Sequence, residues 1–304
     1  MKETEKKETF HSGFVALVGR PNVGKSTLMN AVLGEKISIV SAHAQTTRNK
    51  ITGVWNGEGC QAVFLDTPGM HKPQSRLGEV IRKSTVDALD EVDLILFLCA
   101  CDDPLGAGDR YILQLIQGKK VPVFLVLSKI DLISKEKLMK KILQYKEIYP
   151  FREIIPLSAK TGDNLDDLMK MVTRYLPEGP KYFPDDMITD QPERIIVQEV
   201  VREKLLLRTR DEVPHAIGVY TEEFSERENG KVYIRCTIHV ERDSQKRIII
   251  GKDGAMLKAA GQEAREEIQK IIGAPVYLDL WVKVTKDWKN KDYVLRELGY
   301  KEKK

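Results

Sequence analysis

Gly19-Arg20-Pro21-Asn22-Val23-Gly24-Lys25-Ser26 decides the fold of the first half of this chain. The apolar run Phe14 to Val18 before it reads as a strand, the segment from about Lys25 to Leu33 after it reads as a helix, and Gly34 stands in the usual capping position. A run of phosphates needs donors that converge closely, which backbone amides supply and side chains alone cannot; glycines permit the approach. The residues that would surround the phosphates are Gly19, Asn22, Val23, Gly24, Lys25, Ser26 and Thr27, with Lys25 on the outer phosphates and the Ser26 hydroxyl on Mg2+.

A lone glycine-rich loop is often only a tight turn, but two further words follow in the order one site requires. Asp66-Thr67-Pro68-Gly69 stands where a phosphate-loop protein places a carboxylate that holds Mg2+ through water and a glycine that senses the third phosphate. Ser128-Lys129-Ile130-Asp131 follows the apolar strand Val121 to Leu127. A carboxylate accepts only, and guanine presents two adjacent donors where adenine presents a lone pair, so Asp131 selects guanine. Such a site rejects the analogue by about 10⁴ or more, because buried groups are left unpaired. The stem of Lys129 would lie along the base, and Ser158-Ala159-Lys160, after the strand Glu153 to Leu157, would offer a backbone N–H to the guanine oxygen.

At 304 residues the chain exceeds the usual single core, and 42% hydrophobic content is ordinary for a globular protein. Cys60, Cys99, Cys101 and Cys236 show no C-x-x-C spacing, which argues against a zinc site or a disulfide framework. The charged start Met1 to Thr9 has no apolar signal core after it, and the longest apolar run, Val92 to Ala100, is too short for a bilayer; a cytoplasmic location is expected.

Apolar strands alternate with helical patterns from Phe14 to about Tyr175, the sign of a mostly parallel sheet covered on both faces. Ile51 to Trp55 and Gln61 to Leu65, separated by Asn56-Gly57-Glu58-Gly59, predict a hairpin that puts one antiparallel strand at the sheet edge. Leu176-Pro177-Glu178-Gly179-Pro180, with Pro184 and Pro192 beyond, marks a linker. The expected organisation is a disordered start over 1–10, an α/β nucleotide domain over 11–178, a linker over 179–192, a smaller α+β domain over 193–290 and a tail over 291–304.

Charge is nearly balanced in both halves, so only its local arrangement informs. Arg242, Lys246, Arg247, Lys252 and Lys258 oppose Asp243 and Asp253 around the loop Gly251-Lys252-Asp253-Gly254. The expected order is a helix over Ile195 to Leu207, a strand over Ala216 to Glu222, a turn at Asn229-Gly230, a strand over Val232 to Val240 extended through Ile248 to Ile250, two helices around Ala255 to Ile272, and a strand over Val276 to Val284. That is the helix-first (type II) KH topology, whose G-x-x-G loop clamps about four nucleotides of single-stranded backbone. Gly251 and Gly254 with the five cations and Asp253 are therefore the RNA-binding candidates. Met256, Leu257, Ile268, Ile271 and Ile272 read as the core face of these helices.

The first half resembles the Ras-like, translation-factor-type GTPases, with Ser128 where that family's base-reading word normally carries Asn; weaker guanine binding is expected from the loss of the amide. The whole chain resembles the Era GTPases of bacteria. The likeness includes Ala44-Gln45-Thr46-Thr47-Arg48, Asp66-Thr67-Pro68-Gly69-Met70-His71, Arg202-Glu203-Lys204-Leu205, Val240-Glu241-Arg242 and Leu280-Trp281-Val282-Lys283-Val284. It implies a Ras-like P-loop GTPase domain followed by a type II KH domain, GTP, GDP and Mg2+ as ligands, and a monomer. It also implies an assembly factor for the 30S ribosomal subunit that holds 16S rRNA near its 3′ end in a nucleotide-dependent way, and a peripheral association with the inner face of the cell membrane.

Within that likeness the catalytic candidates are Lys25, Thr47 and Gly69, and the metal candidates are Ser26, Thr47 and, through water, Asp66. Thr46 competes with Thr47 for the switch position. Met70 stands where Ras-like enzymes carry the Gln that orients water, so slow unassisted hydrolysis is expected; His71 is adjacent but has many ordinary explanations. Related GTPases with Asn at the position of Asn22 hold a K+ ion there, which makes K+ a candidate cofactor. Two rival readings are a signalling or cell-cycle switch that docks a protein or a membrane, which the Lys301 to Lys304 tail permits, and a partner GTPase of RNA modification, for which no catalytic module is seen.

Overall fold

The computed structural model describes residues 9–40, 48–70, 73–228 and 230–300. Thr46, Thr47, His71, Asn229 and the Lys301 to Lys304 tail lie outside the described residues. The chain divides into two compact units, one drawn from Met1–Ser38, Lys50–His71 and Thr85–Asp190, the other from Ile39–Asn49, Lys72–Ser84 and Gln191–Lys304.

The first unit runs β1 (His11–Gly19), α1 (Lys25–Leu33), β2 (Ile51–Gly57), β3 (Cys60–Asp66), the end of α2 (Arg76–Ala88), β4 (Leu94–Ala100), α3 (Ala107–Ile116), β5 (Val123–Ser128), α4 (Lys135–Lys146), β6 (Glu153–Pro156) and α5 (Leu165–Tyr175). The strands form one sheet in the order β2-β3-β1-β4-β5-β6, parallel except for the β2–β3 hairpin. The hairpin falls at the edge as expected, with β2 continuing through Gly57 and Gly59 taking the positive φ of the turn. Alternate residues of the central strands serve opposite faces. Val15, Leu17, Leu96 and Leu98 pack with Leu28, Met29, Leu168 and Val172 of α1 and α5. Ala16, Val18, Ile95 and Phe97 pack with Ile112, Ile116 and Tyr145 of α3 and α4. A strand buried on both sides is apolar throughout, which is why β4 reads as an unbroken apolar run.

The segment expected to be a linker has no regular structure but is fastened along the hairpin. Gln61 Oε1 accepts from the amides of Tyr182 and Phe183, the Val54 amide donates to Ile188 O, and Thr189 Oγ1 donates to Thr52 O. The Val54–Ile188 bond uses a donor on the open side of the edge strand β2.

The second unit contains the start of α2, then α6 (Glu193–Leu206), α7 (Val213–Ala216), β7 (Gly218–Glu226), β8 (Val232–Val240), α8 (Asp243–Ile250), α9 (Ala255–Ile272), β9 (Val276–Val284) and α10 (Asp292–Glu297). β7 pairs antiparallel with β8 and β8 parallel with β9, the two parallel strands being joined through α8 and α9. The core lies between the sheet and α6, α8 and α9: Val232, Ile234, Cys236, Ile238 and Val240 face Val197, Val201, Leu205, Ile249, Ala264 and Ile268, and Ile39 joins them.

Three expectations are corrected here. Ile248 to Ile250 does not extend the strand; it closes α8, and only Ile249 of the three is buried. Three β-branched residues in a row read as strand, but Gln245 accepts from the amides of Glu241 and Arg242 and starts a helix first. Ala255 to Ile272 is one helix, its expected companion being α8, and Ile271 on it is 42% exposed and outside the core. Residues 291–300 are not a free tail: Val294, Leu295, Leu298 and Tyr300 are buried with Trp288, Leu77 and Val80. The apolar spacing of α10, hidden among lysines and acids, is what the sequence reading missed.

Candidate nucleotide site and nucleic-acid interface

The nucleotide words all fall at the carboxyl ends of parallel strands: Gly19 closes β1, Asp66 closes β3, Ser128 closes β5 and Ser158 follows β6. In an open parallel sheet this is the edge where ligands bind. Gly24 holds φ of 94° as the cap of α1, and Asn22, exposed, holds φ of 64°, a left-handed conformation that Asn tolerates. A Cβ on Gly19 would meet Leu98 O at 2.5 Å, and one on Gly69 would meet Pro21 at 2.8 Å, so the strand end and the loop after β3 come against the glycine-rich loop at a distance only glycine allows. The Met70 amide donates to Gly19 O at 3.2 Å.

Lys25 is buried and folded back over its own loop, donating to Gly19 O at 3.2 Å and Arg20 O at 2.9 Å. Burial pushes its ammonium down to about 8, opposed by the Asp66 carboxylate. Asp66 is fully buried, and its Oδ2 accepts from Ser26 Oγ and from Ser38 Oγ, each at 2.7 Å. A buried carboxylate meeting a loop hydroxyl is an all-oxygen set that fits a hard cation such as Mg2+. Thr27 follows in the first turn of α1.

At the base end Ser128 Oγ donates to Val23 O at 2.6 Å, with Cys99 O at 3.3 Å as a second contact. The hydroxyl thus ties the end of β5 to the glycine-rich loop. Lys129 takes φ of 58°, and its Nζ lies 3.5 Å from Asp102 Oδ1. Asp131 is exposed on the following turn, Ile130–Leu132. The Ser158 amide is committed to Asp163 O at 3.1 Å, while those of Ala159 and Lys160 donate to no backbone carbonyl among the described residues. Ala159 and Lys160 are thus better placed than Ser158 to present an N–H to a base.

The sequence reading missed the loop's supports. Arg20 Nε donates to the buried Asp109 at 2.9 Å and its Nη2 lies 3.3 Å from Asp103. Asn30 takes the amides of Ile37 and Ser38 on its Oδ1 and gives its Nδ2 to Ser38 O, which positions the Ser38 hydroxyl. Neither contact leaves a signal in sequence spacing. The four cysteines are buried, and burial pushes the Cys101 thiol up to about 11 and the Cys236 thiol up to about 12, so neither is reactive.

In the second unit the G-x-x-G loop leaves α8 at Gly251 and enters α9 after Gly254. Gly251, Asp253 and Gly254 hold φ of 76°, 52° and 77°. A Cβ on Gly251 would meet Met256 at 2.7 Å. Arg242, Arg247, Lys252, Asp253 and Lys258 are exposed, whereas Lys246 is half-buried with its ammonium 5.7 Å from the centre of the Trp281 ring. The positive end of α9 and these cations make a positively charged rim suited to an anionic ligand.

Residues 14–129 match the family model described as 50S ribosome-binding GTPase, and residues 212–289 match the KH domain model. A crystal structure of Era in complex with MgGDPNP and nucleotides 1506–1542 of 16S ribosomal RNA is 42% identical over 96% of this chain and 99% of that one, with a TM-score of 0.93. The chain belongs to the Era family. A variant of Aquifex aeolicus Era bound to GDP and AlF4− has the same identity and coverage and a TM-score of 0.92. The Era architecture, a GTPase domain with a mostly parallel sheet followed by a KH domain, is the one found here.

Proposed function

We propose that this protein is a GTP-hydrolysing switch that binds 16S rRNA near its 3′ end through its KH domain and assists 30S subunit assembly and rRNA maturation. The observation that carries the reading is the likeness, over nearly the whole chain, to an Era structure holding both MgGDPNP and that RNA. Lys25, Ser26 and the amides of the glycine-rich loop would hold the triphosphate, with Ser26, Thr47 and Asp66 around Mg2+; bound there, the ion supplies charge neutralisation on the phosphates. Gly69 would offer its amide to the third phosphate, and Asp131 would read guanine. K+ at Asn22 would supply part of the positive charge that the phosphates call for. The location that goes with this reading is the cytoplasm with a fraction at the inner face of the membrane, separable by fractionation; no described helix is long and apolar enough to cross a membrane.

A link from nucleotide to RNA would start at the residues that flank Thr47 in sequence. The Val40 amide donates to Glu203 Oε1 of α6 at 2.9 Å, and Arg48 Nη1 donates to Ile217 O, just before β7, at 2.6 Å. Release of the third phosphate frees switch segments in GTPases, and here such a change would be felt by residues that brace the KH core. Ultraviolet cross-linking of the intact protein to cellular RNA, with GTP-analogue and GDP samples compared, tests it. Nucleotide-dependent enrichment at the small-subunit rRNA 3′ end is expected; no RNA enrichment would favour a protein or membrane module.

A further inference from the structure

On β8 and β9 the even-numbered residues face the KH core, so the odd-numbered ones project from the opposite face of the sheet. One half of that outer face is closed: Tyr220 packs with Trp288, Val294, Leu295 and Leu77, and Thr237 and His239 are buried. The other half is open. Tyr277 and Trp281 are 62% and 63% exposed, Tyr233 stacks on Tyr277 with ring centres 5.6 Å apart and planes 10° from parallel, and Arg227 caps Tyr233 at 4.8 Å.

We propose that this open half is a second contact surface for single-stranded RNA, on which bases beyond those held at the Gly251–Gly254 loop stack on Trp281 and Tyr277. The inference rests on the RNA-binding reading above. Three features fix the occupant. Every base has a π face, and aromatic rings presented to solvent beside cations are how proteins hold single strands without reading sequence. The charge admits a polyanion: Glu223 is matched by Arg227 at 3.1 Å and Asp279 by Arg235 at 3.0 Å, Glu222 accepts from Thr237 at 2.8 Å, and Lys246 and Lys283 stand beside the rings as the cations not taken up by Glu223 or Asp279. The surface is continuous with the loop, because Lys246 over Trp281 belongs to the helix that ends at Gly251. Tyr277 and Trp281 are four residues apart on one strand, about 13 Å, far beyond the roughly 3.4 Å of stacked neighbours, so each ring would take a base splayed from the strand.

The test compares 3′-end small-subunit rRNA oligonucleotides of about four and about twelve nucleotides, bound to the full-length protein loaded with a non-hydrolysable GTP analogue. Trp281→Ala and Tyr277→Ala are each expected to weaken the longer RNA about tenfold and leave the shorter one unchanged, with Trp281→Phe restoring most of the loss because a phenyl ring still stacks. Equal weakening of both lengths would assign the effect to a disturbed loop and overturn the second surface. No effect of either variant, with Lys252→Ala weakening both lengths, would overturn it while sparing the KH reading. Failure of the unaltered protein to bind either RNA would sink both readings together, and an intact rRNA interaction with loss of a protein partner in Trp281→Ala would reassign the face to protein docking.

Discussion

The hydroxyl of Ser128 donates to the carbonyl oxygen of Val23 at 2.6 Å, and both residues are buried. The strand end that leads to Lys129 and Asp131 is thereby fastened to the glycine-rich loop, with a shorter side chain than the amide usual in such proteins. Ser128→Ala leaves the Val23 carbonyl without this partner, which costs roughly 1–3 kcal/mol. Release of a fluorescent GDP analogue is expected to accelerate about tenfold. An unchanged release rate would mean that the contact does not position the base loop.

Arg48 and Arg202 lie together in the second unit, 3% and 1% exposed, and Glu199, which accepts from Arg202 Nε at 3.2 Å, offsets one of the two charges. Burial pulls the Arg202 guanidinium down, but Glu199 prevails and the net direction is up; burial moves Arg48 down, partly offset by Tyr300. Arg48 also lies 5.7 Å over the Trp288 ring. Removing one partner of such a pair costs about 3–5 kcal/mol, because the other charge stays buried. Glu199→Gln should lower the urea midpoint accordingly, and Glu199→Gln with Arg202→Met should recover most of it. A surface-like loss below about 1 kcal/mol would contradict the burial argument.

How far the sequence carries depends on what each residue answers to. Gly19, Gly24, Lys25, Asp66 and Asp131 follow a spacing set by the shape of the nucleotide they are proposed to hold, so the candidate site is legible before any coordinates. The strands β1, β4 and β5 answer to burial on two faces and read as plain apolar runs. Ile248 to Ile250 answers to a helix start at Gln245 that outweighs the preference of its own side chains, and α10 answers to Trp288 and Leu77, which are remote in sequence. The contacts of Ser38 and Arg48 were not legible for the same reason: their partners, Asp66 and Ile217, are brought to them only by the fold.

His239 is buried on β8, with its Nδ1 3.0 Å from Thr285 Oγ1. Burial lowers it to about 4, Lys283 pushes the same way and Glu222 opposes. The folded chain therefore keeps this ring neutral, while the unfolded chain takes up a proton near pH 6.5. Stability from this group is full above about pH 6.5 and is lost as pH falls toward 4, because the unfolded state binds more protons in that window. His239→Gln should flatten the fall of the denaturation midpoint between about pH 6.5 and 5. Parallel curves for the two proteins would assign the acid sensitivity to other groups.

Lys252 and Arg247 stand exposed on either side of Gly251, where the G-x-x-G loop begins. If they neutralise phosphates, each should release counterions when RNA binds, and log affinity should fall against log salt by about 0.7 per contact. Replacing both by Ala should shallow that slope by roughly 1.4 and weaken binding at low salt most, since the interaction lost is the one that salt screens. Affinity for GTP should not change, because neither residue belongs to the unit that carries the nucleotide words. An unchanged slope with weaker binding at all salt concentrations would mean that the two side chains support the loop's shape and that the phosphates lie on other cations.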